Sequence, residues 1–230
     1  MVVIVKTTVK VVRNEGVESV VSAVSSYVLT IDQVASRKDG DRVPFLLCEL
    51  EEFNFVVPPS RTLGDEIQGV TNSPEVVVNA VRQVLRDNNW HIGLGIGPVS
   101  PDEQKLTRSA EAVGPTFVLA REAVEVAKRK PGRSQVAVRS EDETPRATEI
   151  EALFDLLAGV ISQRSASHWR VIDAANREPD ATQAQLAEHL DLTQQGVAKS
   201  LASALWRQEQ GVLPLLTRLV KECGMANTTQ

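Results

Sequence analysis

Aromatic side chains are scarce here, with one tyrosine, three tryptophans and five phenylalanines among 230 residues. A core built without them has to be filled by valine, alanine and leucine. Cysteine is nearly absent too. Cys48 and Cys223 are the whole complement, and neither sits in a metal or redox spacing. A disulfide framework is therefore excluded, and reduced thiols in a cytoplasmic protein are expected. No apolar run approaches the roughly 20 residues that cross a bilayer. The first residues, Met1 to Lys6, show no charged leader, long apolar stretch or cleavage site, so no membrane association is expected. A broad basic surface is also missing, since the formal net charge is −5. That leaves DNA binding open, because a helix-turn-helix needs only a local basic face. Between residues 164 and 218 the two signs balance at about six each, so any DNA affinity would rest on a few placed contacts.

What is present is enough chain for one large domain or two small ones. Residues 1–26 are rich in Val and Ser and fit a strand, a short helix or an arm equally well. From Tyr27 the pattern sharpens. Tyr27 to Ile31 is an apolar strand ending at Asp32, followed by a polar loop over residues 33–41. Val43, Leu46, Leu47 and Leu50 have helical spacing. Phe53 to Val57 is a short strand closed by Pro58-Pro59, and Glu66 to Thr71 is a second, with Gly64-Asp65 at the turn between them. Ser73-Pro74-Glu75 starts a helix running to about Asn88. Trp90 to Pro98 is a buried strand whose alternating Gly93, Gly95 and Gly97 call for close approach of a helix or ligand. A helix over Pro115 to Lys128 and a strand over Gln135 to Val138 complete the series. This order predicts an α+β domain over residues 1–140, with helices on one side of a mostly antiparallel sheet. A polar stretch over residues 140–148 marks a boundary, and the remainder, residues 149–230, reads as helix.

Asp32 and Asp65 each end an apolar strand. If those strands are neighbours, two carboxylates converge at one end of a sheet, where they repel unless a cation or proton lies between them. Mg²⁺ takes one or two carboxylates and completes its shell with water and phosphate. A turn residue is the plainer reading of Asp65, a solvated loop that of Arg37 and Lys38, a dipole-complementing helix end that of Lys128, Arg129, Lys130 and Arg133, and a surface position that of His91.

The order of Thr30-Ile31-Asp32-Gln33, Ser36-Arg37, Gly64-Asp65-Glu66-Ile67-Gln68, the glycine strand, and Gly114 to Arg121 with Ala120-Arg121-Glu122-Ala123 resembles the palm domain of class III nucleotidyl cyclases and diguanylate cyclases. It is more similar to the bacterial SatD-like proteins, in which such a domain precedes a helix-turn-helix. The resemblance spans residues 27–220. It implies a ferredoxin-like, nucleotidyl cyclase-type domain and an all-α helix-turn-helix domain. It further implies Mg²⁺ at Asp32 and Asp65, and a purine nucleotide against Asp32, Gln33, Arg37, Gly64, Asp65, Glu66 and Arg121. The departures bear on activity. Class III cyclases carry an Asn and an Arg on the helix after the last motif, and Val118 and Glu122 stand at those positions. Arg121 is one residue out of register, about 100° round the helix. Leu63 replaces the second glycine of the diguanylate signature. Phosphoryl transfer depends on positioned positive charge, so a nucleotide-binding domain is expected rather than a competent cyclase.

Residues 182–206 carry the second motif. Thr182 caps an amphipathic helix ending at Leu190, Asp191-Leu192 forms the turn, and Thr193 caps a helix from Gln194 to Trp206. Leu186, Ala187, Leu190, Leu192, Val197 and Leu201 supply the apolar pattern, and Asp191 tolerates the left-handed backbone such turns require. The N-terminal part of the second helix enters the major groove in this motif. That nominates Gln194 and Gln195 for adenine edges, and Thr182, Thr193, Lys199 and Ser200 for phosphate or bases of double-stranded DNA. Further helices are expected over 150–161, 167–175 and 213–220, with Trp169 and Trp206 as core anchors. Leu153, Leu156, Leu157 and Val160 form a stripe suited to a homodimer seam or to internal packing. Three functions remain open on sequence alone. One is a transcriptional regulator whose cyclase-like domain binds a purine nucleotide. Another is a divergent metal-dependent cyclase or phosphohydrolase, and the third is a structural dimerisation domain fused to a DNA reader.

Overall fold

The computed structural model describes residues 9–10, 20–21, 25–106, 114–132, 134–141 and 145–226. Two short strands, β1 (Val9–Lys10) and β2 (Val20–Val21), pair antiparallel; the rest of the first 24 residues lies outside the described set. The main sheet is built from β3 (Ser25–Gln33), β4 (Val57–Arg61), β5 (Glu66–Thr71), β6 (Trp90–Pro98) and β7 (Val136–Ser140) in the order β4-β5-β3-β6-β7. All neighbours are antiparallel except β6 and β7, which are parallel. Between the strands come α1 (Ser36–Asp39), α2 (Val43–Leu50), α3 (Pro74–Asp87) and α4 (Pro115–Ala127), together with a 3-10 turn at Glu103–Lys105.

Local chemistry explains most of these boundaries. Ser73 accepts from the Val76 amide, Pro74 opens α3, and Asn88 closes it with a left-handed φ of 54°. The inner face of α3 carries Val77, Ala80, Val81, Val84 and Leu85, all buried. Each fully buried aliphatic contributes about 1.5–3 kcal/mol relative to exposure. The first hairpin strand departs from expectation. It starts at Val57 and runs through Pro58 and Pro59 rather than stopping there, with a register break between Val57 and Ser60. It is the edge of the sheet, where a strand can do without ladder amides.

The expectation of helices on one side only is corrected. Tyr27, Leu29 and Ile31 of β3 face the main core with residues of α2 and α3, whereas Val28 faces a second cluster with Phe117 and Ala120 of α4. Helices therefore cover both faces. The glycines of β6 are the reason. A Cβ on Gly93 would lie 2.2 Å from the Ala120 carbonyl oxygen and 2.3 Å from the Val124 nitrogen, and one on Gly95 would lie 2.4 Å from the Thr116 oxygen. Their close approach is to a helix backbone, not to a ligand.

After β7 the chain is helical: α5 (Pro145–Ser162), α6 (Ala166–Arg177), α7 (Gln183–Leu190), α8 (Gln194–Ser203) and α9 (Trp206–Ala226). These helices share one core with the sheet. Ile150, Phe154, Trp169, Leu216 and Val220 join the same cluster as Leu29, Val81 and Trp90, so the change from α+β to all-α is not a gap in packing. A polar seam reinforces the junction. Arg82 and Arg164 both bind Glu209, at 2.6 and 2.9 Å, and Arg86 binds Asp173 at 2.7 Å. Three guanidinium groups, those of Arg82, Arg86 and Arg164, stack on Trp169. The Leu153–Val160 stripe is not one face, since Leu157 is buried and Leu156 is 62% exposed. Cys48 is exposed and Cys223 buried. Among the described residues no helix is long and apolar enough to cross a membrane.

Candidate functional site

Asp32 is the penultimate residue of β3 and lies in register with Glu66 of β5 on one side and His91 of β6 on the other. Strand alternation puts it on the α4 face. There its Oδ2 meets the Lys128 ammonium at 2.8 Å, and Lys128 also meets Glu125 at 2.8 Å. Burial pushes the Asp32 carboxyl above its ordinary range; the Lys128 hydrogen bond and charge pull it back, and the nearby Asp65 charge pushes it up again. Burial acts downward on Lys128, but its bonds to Asp32 and Glu125 outweigh that and hold its pKa up. Both shifts are upward, and upward means opposite things for an acid and a base. The ammonium gains from the pair, while the carboxylate does not recover its burial cost. His91 is pushed below its usual range by burial, against the pull of Asp32, and its Nδ1 is buried without a partner among the described residues.

The hairpin tip supplies Asp65. Gly64 adopts a φ of +61°, a left-handed geometry that suits glycine. Its carbonyl accepts from Arg61 at 2.8 Å, and Arg61 also binds Asp41 at 2.6 Å. Leu63 is 84% exposed at the apex. The Thr62 hydroxyl donates to the Glu66 carboxylate.

The structure brings Asp32, Asp65 and Glu66 to one sheet end, as expected, and parts them from Gln33. That side chain is 3% exposed and points to the opposite face, where its amide binds the Gly40 oxygen and the Arg42 nitrogen. It closes the 33–42 loop and is not available to a ligand beside Asp32. Arg37 lies on the four-residue α1. Arg121 lies on α4, half-buried, two turns before Lys128. His91 and Lys128 complete the cluster and were not expected there. His91 is buried rather than on the surface, and Lys128 serves Asp32 rather than the helix dipole alone. Only the strand register reveals the first, and only the depth of α4 on the glycines the second.

Magnesium fits this set poorly. The Asp32 Oδ2 that would face a divalent cation already holds an ammonium. Among the described residues, no group of three or more His, Cys, Asp or Glu side chains is placed to hold a metal ion.

The helical end carries the second candidate surface. Thr182 accepts from the Gln185 amide while the Gln185 side chain reaches back to the Thr182 nitrogen, a reciprocal cap. Asp191 takes the left-handed conformation at φ 53°, and the Leu192 nitrogen donates to the Ala187 oxygen. Thr193 accepts from the Gly196 amide and starts α8. Leu186, Ala187, Leu190, Val197 and Leu201 are buried, whereas Gln194, Gln195 and Lys199 are exposed and Ser200 half-exposed. The second helix is shorter than expected. It ends at Ser203, and Leu205, at φ 53°, turns the chain into α9.

The family model described as "SatD family" matches residues 47–207, which is more than half of the chain, and the chain belongs to that family. The match takes in Gly64, Asp65, Glu66, Arg121 and the whole of α6 to α8. Asp32, Gln33 and Arg37 precede it. No curated protein and no solved structure matches the chain.

Proposed function

We propose that this SatD family member is a DNA-binding transcriptional regulator whose α+β half, a ferredoxin-like palm of the nucleotidyl cyclase type, senses a purine nucleotide. The observation that carries the DNA half is the α7–Asp191–α8 unit. Two helices, each capped by a threonine, cross through a left-handed Asp191, and every apolar residue of α8 that faces inward is matched by an exposed Gln194, Gln195 or Lys199 outward. This is the geometry a recognition helix needs to present polar groups to base edges. A two-fold homodimer on a palindromic site belongs to the same reading.

The nucleotide half is supported by the strand order, with the hairpin outside β3, and by the convergence of Asp32, Asp65 and Lys128 at one sheet end. Lys128 offers positive charge to a phosphate without a resident metal, so magnesium is not part of the proposal. An enzyme reading has weaker support, because Val118 and Glu122 stand exposed on α4 where cyclases place transition-state residues.

Fluorescence anisotropy with DNA from upstream of the protein's own gene, at fixed salt, tests both halves. Specific binding should fall about tenfold or more in Gln195→Ala, since a lost base contact costs ~1–3 kcal/mol, while Lys199→Ala should weaken all sequences alike. Addition of ATP or GTP should shift the affinity of the native protein and not that of Asp32→Asn. Binding that ignores Gln195→Ala and Lys199→Ala would remove α8 as the reader.

A further inference from the structure

On the opposite face from Asp32, α2, the C-terminal end of α3 and the first turns of α6 enclose a cleft of about 720 Å³, lined by Arg42, Phe45, Arg86, Arg164, Trp169 and Arg170 among others. A volume in this range accommodates a small-molecule ligand. Four arginines meet here against the three carboxylates of Glu49, Asp87 and Asp173. Three of the four have an acidic partner, Arg42 in Asp87, Arg86 in Asp173, and Arg164 in Glu209, which it shares with Arg82. Burial holds the third carboxyl, Glu49, above its ordinary range. Arg170 has no acidic partner among the described residues and donates instead to the Leu190 carbonyl at 2.6 Å.

Arg164 is the strongest observation. Its side chain is 1% exposed; Nε and Nη2 donate to the Ala204 oxygen and Nη2 also meets Glu209, but Nη1 is buried with no acceptor among the described residues. A buried donor left unpaired is costly, and a native structure with one calls for an acceptor. Arg164 precedes the first turn of α6, and Ala166 of that turn also lines the cleft, so the positive end of the helix dipole faces the same space. The apolar wall is Phe45, 57% exposed.

We propose that this cleft is a binding site for a small phosphate ester, with the phosphate held by Arg164, Arg170 and the N-terminus of α6 and a planar organic part laid on Phe45. The occupant draws Arg170 away from the Leu190 carbonyl, at the end of α7. It thereby acts on the turn between α7 and α8; this regulatory consequence rests on the DNA-binding reading, and the binding itself does not.

Calorimetric titration of the full chain with AMP, adenosine and inorganic phosphate tests the site. AMP should bind saturably, at least tenfold tighter than either fragment. Arg170→Ala and Phe45→Ala, both at exposed positions, should each weaken AMP about tenfold with unchanged melting temperature, and Asp65→Asn should leave it unchanged. Heat from phosphate alone at equal strength would overturn the ester and leave an anion site. No saturable binding, or binding lost in Asp65→Asn and kept in Arg170→Ala, would overturn the cleft. That last result would still be compatible with nucleotide sensing at the sheet end.

Discussion

The two clusters of charge in this molecule are made from the same groups and behave differently. At the sheet end, one half-buried carboxylate, Asp32, meets one ammonium that is 30% exposed and shared with Glu125. At the junction of sheet and helices, Glu209 is 0% exposed and held by two guanidiniums, one of them 1% exposed. The junction is closed and multiply bonded; the sheet end is open and its carboxylate is held charged at a cost. Charge kept at a cost to stability marks a candidate site, and the sheet end is where the proposed nucleotide reading needs one. Charge satisfied from several sides is the pattern of a joint.

Breaking the joint should have the largest effect. Glu209→Ala leaves Arg82 and Arg164 buried without a counter-charge, and removing one partner of a buried pair costs about 3–5 kcal/mol. Lys128→Ala should cost less, on the order of 1 kcal/mol, because the Lys128–Asp32 pair is half-open, with side chains 30% and 17% exposed, and not closed like Glu209. Denaturant unfolding of both variants measures the contrast, and equal losses would erase the distinction between joint and site.

The glycine strand comes next. Gly93→Ala drives a methyl into the backbone of α4, with contacts of 2.2 and 2.3 Å to atoms that cannot rotate away. Overpacking of this kind costs about 1–3 kcal/mol or more, and it should displace Lys128 from Asp32. A melting temperature equal to that of the native protein would mean that α4 does not rest on β6.

How far this was legible in the sequence differs between the two halves. The helix caps at Ser73, Thr182 and Thr193 and the turn at Asp191 are local chemistry, and the structure forms them where the sequence placed them. The convergence of Asp32 and Asp65 was conditional on their strands being neighbours, and β3 and β5 are neighbours in the sheet. The rest depended on distant partners. Nothing near His91 announces that Asp32 will lie beside it, and nothing in Pro58-Pro59 says that the strand continues as an edge. The resemblance groups Gln33 with Asp32, yet neighbouring residues of a strand point to opposite faces. The α6 N-terminus, Arg164 and Trp169 form a surface only once α3 packs against them.

The caps sharpen the comparison within the helical half. Thr182→Ala and Thr193→Ala should each cost about 1 kcal/mol, read by denaturant unfolding. On the proposed DNA-binding reading, Thr193→Ala should also weaken DNA binding, because Thr193 sets where Gln194 and Gln195 stand. Affinity unchanged in Thr193→Ala would place the DNA surface elsewhere.

The smallest effect is the most specific to the sheet end. Asp32 has its carboxyl raised above 3.8 in the fold. Such a group favours the folded state below its unfolded pKa, and that contribution is lost as pH rises through the folded value. Near pH 7 the charged Asp32 therefore costs stability, and Asp32→Asn should melt slightly higher than the native protein, with the gap closing in acid below about 3.8. His91 runs the other way. Its pKa is lowered from 6.5, so its neutral form supports the fold above that value and the support fades as pH falls through the folded pKa. Replacing it, as His91→Gln, should flatten the decline in melting temperature below about pH 6.5. Melts of the native protein and both variants between pH 7.5 and 3.5 separate the two slopes. A native-like decline in His91→Gln would show that the imidazole is not held neutral between Asp32 and Lys128. An Asp32→Asn variant that melts lower than the native protein at pH 7 would show that the Lys128 pair does recover the carboxylate's burial cost, making the sheet end a second joint rather than a site.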